Sequence, residues 1–130
     1  MTRQEKFAKR VFTIAGIYGL MVLLPQYFLE DLVNRQSGVP IAHPEYFYGF
    51  IGVAVAWQVA FLVVARDVVR FRVFMLPAIL EKLAFGGAAV VLYLQNRING
   101  DVFAAGLGDL LIGAFFVAAF ARTRNAAVMS

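Results

Sequence analysis

An all-α integral membrane protein, folded as an antiparallel four-helix bundle with both termini in the cytoplasm, is the fold class this sequence predicts. Three observations carry that reading. The chain of 130 residues is 62% hydrophobic and only 15% charged, whereas a soluble domain carries about 25% charged and about 45–50% apolar residues. The apolar residues gather into four runs, 11–29, 46–65, 73–94 and 102–121, each near the roughly 20 residues that cross a bilayer as a helix. The basic residues flank those runs on alternate sides. Within the hydrocarbon each run is helical, because an unpaired backbone N–H or C=O there costs several kcal/mol.

The first run follows the charged lead "MTRQEKFAKR" and reads "VFTIAGIYGLMVLLP". A charged lead before an apolar stretch also describes a signal peptide, but "QYFLEDL" follows with no small-x-small cleavage site, so an uncleaved first span is expected. A 16-residue connection, "EDLVNRQSGVPIAHPE" over 30–45, leads to the second span and is apolar enough to form a small cap over the bundle. Tyr27, Phe28, Tyr46, Phe47 and Tyr48 flank it, as the aromatic belt at a membrane interface does. The second and third spans meet through "RDVVRFR", and the third and fourth through "QNRING". Both connections are too short for anything but a hairpin between neighbouring helices.

Orientation follows from lysine and arginine. Arg3, Lys6, Lys9 and Arg10, then Arg66, Arg70 and Arg72, then Arg122 and Arg124 all fall at one end of the bundle. The other end has Arg35 and Arg97 against Glu30, Asp31, Glu45 and Asp101. Both termini are therefore expected in the cytoplasm, with the chain in the cytoplasmic (inner) membrane and the 30–45 connection outside. The net charge of +4 is dispersed in these flanking clusters, which argues for membrane topology and against a nucleic-acid partner. Membrane lipids are the expected partners, with Arg66, Arg70 and Arg72 as a headgroup contact; a homo-oligomer or a larger membrane complex is the other expectation.

Polar residues inside the spans are the candidate site. A charge at mid-membrane costs about 2.5–3.5 kcal/mol on insertion scales, and such residues mark functional sites by default. Glu81 and Lys82 lie nine and ten residues beyond Arg72, roughly 14 Å deep. Gln58 and Tyr18 fall at nearly the same level on two other helices, and Asp109 lies on the fourth. Ala78, Lys82 and Gly86 share one helical face and Ala105, Asp109 and Gly113 another, so Lys82 and Asp109 are expected to point into protein. Adjacent residues diverge by about 100° on a helix, which sends Lys82 toward Asp109 and Glu81 toward Gln58 or Tyr18. Trp57 beside Gln58 either lines the same pocket or packs in the core. Pro77 is expected to kink the third span, and Gly16, Gly19, Gly49, Gly52 and Gly108 to serve as helix-packing notches.

The inventory restricts the chemistry. There is no cysteine, and the single histidine, His43, sits in the 30–45 connection without clustered carboxylates, so no metal site is expected. No serine lies inside a span and no glycine-rich phosphate loop follows a strand, so no catalytic residues and no cofactor are assigned. With its four spans and the stretches "YFYGFIGVAVAWQ" and "RFRVFMLPAILEK", the chain resembles small bacterial membrane proteins of the DoxX-like type, a likeness that implies a layout and little chemistry. The leading expectation is a non-enzymatic membrane protein that associates with itself or a larger complex. The alternative is a small-molecule or lipid binder, including a proton-coupled transporter, that uses Glu81, Lys82, Asp109, Gln58, Tyr18 and Trp57.

Overall fold

The computed structural model describes residues 1–125, and among them there are helices and turns but no strand. Five α-helices follow in order: α1 Arg3–Leu23, α2 Glu30–Ser37, α3 Pro44–Arg66, α4 Met75–Leu94 and α5 Gly100–Arg122. Four stretches are long and apolar enough to cross a membrane, Arg3–Phe28, Pro44–Arg66, Arg72–Leu94 and Gly100–Arg122. Their outward faces are apolar: Met21, Val53, Leu80 and Leu111 are all more than half exposed. An exterior of that kind is stable against lipid and not against water.

The first helix begins eight residues ahead of the apolar run. Thr2 and Glu5 form a capping box, with the Thr2 hydroxyl accepting from the Glu5 N–H at 3.1 Å and the Thr2 N–H donating to the Glu5 carboxylate. Two otherwise unpaired donors are satisfied reciprocally, so the charged lead is helical too. At the far end Pro25 has no N–H to continue the ladder, and the chain tightens into a 3-10 turn over Leu24–Phe28.

The 30–45 connection is no buried cap. It holds the eight-residue α2, none of whose residues is buried, and Gly38 ends that helix at φ 73°, in the left-handed region. Its order comes from Asn34, whose Oδ1 accepts from the Ile41 N–H at 2.8 Å, and from the Tyr48 hydroxyl, which donates to Glu30 at 2.7 Å. His43 contacts the Glu45 carboxylate at 3.1 Å in the open and lies beside the Tyr46 ring.

Pro77 does not kink α4. It stands third in that helix, in the first turn, where the N–H has no intrahelical partner to lose. The same helix ends in a Schellman motif: Asn96, at φ 58°, donates its N–H to Tyr93 and the next residue, Arg97, donates to Leu92. Asn99 then caps α5 by accepting from the Val102 N–H at 3.0 Å.

The helices pack as two close pairs, α1 with α3 and α4 with α5, joined where α1 meets α5; α3 and α4 barely touch. Within each pair, numbering rises in one helix as it falls in the other. Phe12 meets Phe61 and Tyr27 meets Tyr48 in the first pair, and Lys82 meets Asp109 and Tyr93 meets Phe103 in the second. Glycines set the spacing. A Cβ on Gly16 would lie 2.9 Å from the Gln58 carbonyl oxygen, and one on Gly86 would lie 2.9 Å from the Gly106 carbonyl oxygen. Of the five glycines expected as notches, only Gly16 and Gly19 act as such; Gly49 and Gly108 face open space and Gly52 makes one ordinary contact, with Tyr27. On α5 the close approach is made by Gly106 and Gly113, while Ala105, expected on the packed face, is exposed.

At the end that carries the termini the two pairs close on an aromatic layer. Phe12 stacks on Phe116 at 4.2 Å between ring centres, and Phe61 meets Phe116 edge-on at 4.9 Å. All three are fully buried, together with Met75, Ala78 and Ala119. Arg72 seals that end by donating to the Phe120 carbonyl at 2.6 Å and to the Thr123 hydroxyl at 3.1 Å, with its guanidinium 3.8 Å above the Phe120 ring.

Candidate functional site

Above the aromatic layer the two pairs separate and leave an open recess of about 470 Å³ between them. Its floor is polar. Gln58 from α3, Glu81 and Lys82 from α4, and Asp109 from α5 all reach it, as does Gly19 from α1. Its walls are aromatic and aliphatic, with Phe47, Phe50 and Phe85 among them, and the Phe50 and Phe85 rings meet at 5.9 Å between centres. From Gln58 to Phe47 is eleven residues of α3, so the space is roughly 16 Å long. It runs toward Gln26 and Asp101, at the end of the bundle away from the termini. The aromatic layer fills the half of the bundle nearer the termini, and the recess occupies the other.

Lys82 is 5% exposed and its ammonium serves two carboxylates, Asp109 Oδ1 at 3.4 Å and Glu81 Oε2 at 3.7 Å. Gly113 makes room for it, since a Cβ there would lie 3.2 Å from the Lys82 Cβ. The Phe61 ring centre, 5.3 Å from Nζ, adds its electron-rich face beneath the charge. The contact of Lys82 with Asp109 is the one the helical faces predict. Glu81 differs. It turns toward Lys82 and makes no bond to Gln58 or Tyr18, because two long side chains one residue apart can bend to one groove although their Cβ atoms diverge.

Gln58 is 1% exposed. Its Nε2 donates to the Ala54 carbonyl, one turn back, at 2.9 Å, while its Oε1 has no partner among the described residues. A Cβ on Gly19 would fall on the Gln58 amide itself, so Gly19 is the residue that admits a buried glutamine against α1. Glu81 Oε2 is likewise buried with no hydrogen-bond partner among them. Gln58 Oε1 is thus buried against Gly19 without a hydrogen bond, at a cost of about 1–3 kcal/mol, while Glu81 Oε2 has the Lys82 ammonium as its ion partner.

The remaining candidates fall elsewhere. Tyr18 is 55% exposed and stands at the cavity's edge. Trp57 is half-buried against the aromatic layer, its ring centre 6.4 Å from that of Phe61, and does not line the cavity. Arg66 and Arg70 lie at the α3–α4 turn, exposed to the surroundings; Arg72 has its donors engaged on α5.

Reasoning from intramembrane polar residues passes over the aromatic walls, although a signal for them exists. Phe50, Ala54 and Gln58 recur every four residues, as do Glu81 and Phe85, and that spacing puts them on common helical faces. The roles of Gly19 and Gly113 depend on which helix faces them, and no spacing within α1 or α5 supplies that. Comparison of the chain with protein-family models, with curated proteins and with solved structures finds no match.

Proposed function

We propose that the chain is a small non-enzymatic integral membrane protein, both termini cytoplasmic in the inner membrane, whose central cavity binds a small amphiphilic molecule. The observation that supports this most is the recess itself, where the Glu81 and Asp109 carboxylates, the Lys82 ammonium and Gln58 meet at one end of an aromatic-lined space of about 470 Å³. The occupant brings hydrogen-bond donors to the floor and an apolar body to Phe47, Phe50 and Phe85. Two carboxylates against one ammonium also favour a head that carries protons. The proton-coupled carrier is the extended form of this reading: Glu81 or Asp109 exchanges its proton as the ligand arrives or leaves. The resemblance to DoxX-like proteins supports the layout and says nothing of the ligand.

Native mass spectrometry of the protein, extracted gently from its own membranes, tests the proposal. A reproducible small-molecule mass on the protein, lost in Glu81→Gln and Gln58→Leu variants that still fold, is the expected result. A stoichiometric second polypeptide with no small mass would overturn it in favour of an accessory subunit. Orientation has a clean test because the chain lacks cysteine. Ser37→Cys should react with a membrane-impermeant maleimide in intact cells, and Asp67→Cys only after permeabilisation; the reverse pattern inverts the topology.

A further inference from the structure

A second recess lies on the outside of the bundle, along the seam where α1 meets α5, and has no part in the cavity function. Near the termini it is basic: Arg3, Lys6, Arg10 and Arg122 line it together with Gln4 and Phe7, and among the described residues no carboxylate does. Glu5, the nearest acid in sequence, is engaged in the capping box at Thr2. Arg122 is held in place from α5 by cation–π contact, its guanidinium 4.2 Å from the Phe7 ring centre. The recess continues along the seam as an apolar groove of about 580 Å³ that shares Phe7 and Arg10 with the basic end and runs past Ile14 and Leu111 to Tyr18. Ile14 and Leu111 are 66% and 61% exposed along it.

We propose that this seam is a specific site for one anionic phospholipid, with the phosphate headgroup among Arg3, Lys6, Arg10 and Arg122 and an acyl chain in the groove. Charge and shape agree on that occupant. Four cations without an acid select an anion. Beyond the headgroup end the groove runs from Arg10 to Tyr18, eight residues of α1, roughly 12 Å, which covers most of the about 15 Å of half a bilayer's hydrocarbon core. A free phosphate would use only the basic end, and a partner helix would have no need of four cations at its tip. The seam also takes the headgroup role from the turn at Arg66–Arg72, where Arg72 is already committed to α5.

The test is native mass spectrometry of the full-length protein in a neutral detergent, titrated with phosphatidylglycerol and, separately, phosphatidylcholine of equal chain length. Phosphatidylglycerol should give a single saturable adduct that phosphatidylcholine does not. A Lys6→Gln/Arg10→Gln variant should weaken that adduct roughly 30-fold, at about fivefold per cation, while Arg66→Gln/Arg70→Gln, with the same loss of charge, should leave it unchanged. Ile14→Trp fills the groove without touching a charge and should also lower occupancy at equal lipid. Equal loss in both double variants would reduce the effect to net charge and overturn the site. Indifference to Ile14→Trp, or equal binding of the two lipids, overturns it as well.

Discussion

Gly86 and Gly87 are neighbours on α4 with opposite surroundings, and a methyl group on each gives a direct measure of how α4 and α5 are held together. A Cβ at Gly87 meets nothing within 4 Å among the described residues, whereas one at Gly86 would stand 2.6 Å from Leu110 Cδ2 and 2.9 Å from the Gly106 carbonyl oxygen. The leucine can turn aside, but the carbonyl belongs to the backbone of α5, and relieving that contact requires the helices to separate by a few tenths of an ångström. Replacing glycine with alanine inside a helix gains up to about 1 kcal/mol in either position, so that gain cancels between the two variants. What remains is the overpacking cost, typically about 1–3 kcal/mol. Gly86→Ala is therefore expected to be less stable than Gly87→Ala by that amount. Reversible unfolding in mixed micelles, followed by far-ultraviolet ellipticity and by fluorescence of the sole tryptophan, Trp57, reads the difference directly. Adding Leu110→Ala to Gly86→Ala should recover only part of the loss, because the carbonyl contact persists. Equal stability of the two single variants would refute the claim that backbone approach at Gly86 sets the α4–α5 spacing.

Three further outcomes follow from the same geometry. Lys82→Met leaves Glu81 and Asp109 facing one another without their shared cation and should cost about 3–5 kcal/mol. Adding Glu81→Gln and Asp109→Asn should restore much of that stability in the same unfolding assay, since the uncompensated charge is then gone. Arg72→Gln loses donors to Phe120 and Thr123 and should destabilise by about 1.5–3 kcal/mol, in the range of hydrogen bonds from charged groups; thermal melts should show Arg66→Gln and Arg70→Gln close to wild type. Asn96→Val places a β-branched residue in the left-handed region and should cost about 1–2 kcal/mol, whereas Asn96→Gly should be tolerated, a contrast that a melting comparison resolves.

The spans themselves are legible in the sequence, with ends within two residues for α3, α4 and α5. Hydropathy over some twenty residues is a sum, and one misplaced residue does not disturb it. The start of α1 escapes the same reasoning because a capping box is a local polar device inside a stretch that hydropathy scores as unsuited to the membrane. Pro77 misleads for a similar reason. Its effect depends on where the helix begins, and a 3-10 turn over Arg72–Phe74 sets that start.

For the site, sequence by itself determined which residues are costly inside a bilayer and hence which deserve a role: Glu81, Lys82, Asp109 and Gln58. Spacing along α4 and α5 also paired Lys82 with Asp109, because small residues four apart mark the face that a neighbouring helix approaches. Tertiary structure alone decided the rest. Glu81 joins Lys82 because side-chain torsions, which helical periodicity does not describe, carry both to one groove. Trp57 leaves the site because its face of α3 meets the aromatic layer and not the cavity. That layer exists only once Phe12, Phe61 and Phe116, which lie 49 and 55 residues apart in order along the chain, are brought together by the packing of three helices. A pattern along one helix says which way a residue faces; what it faces is a property of the other helices.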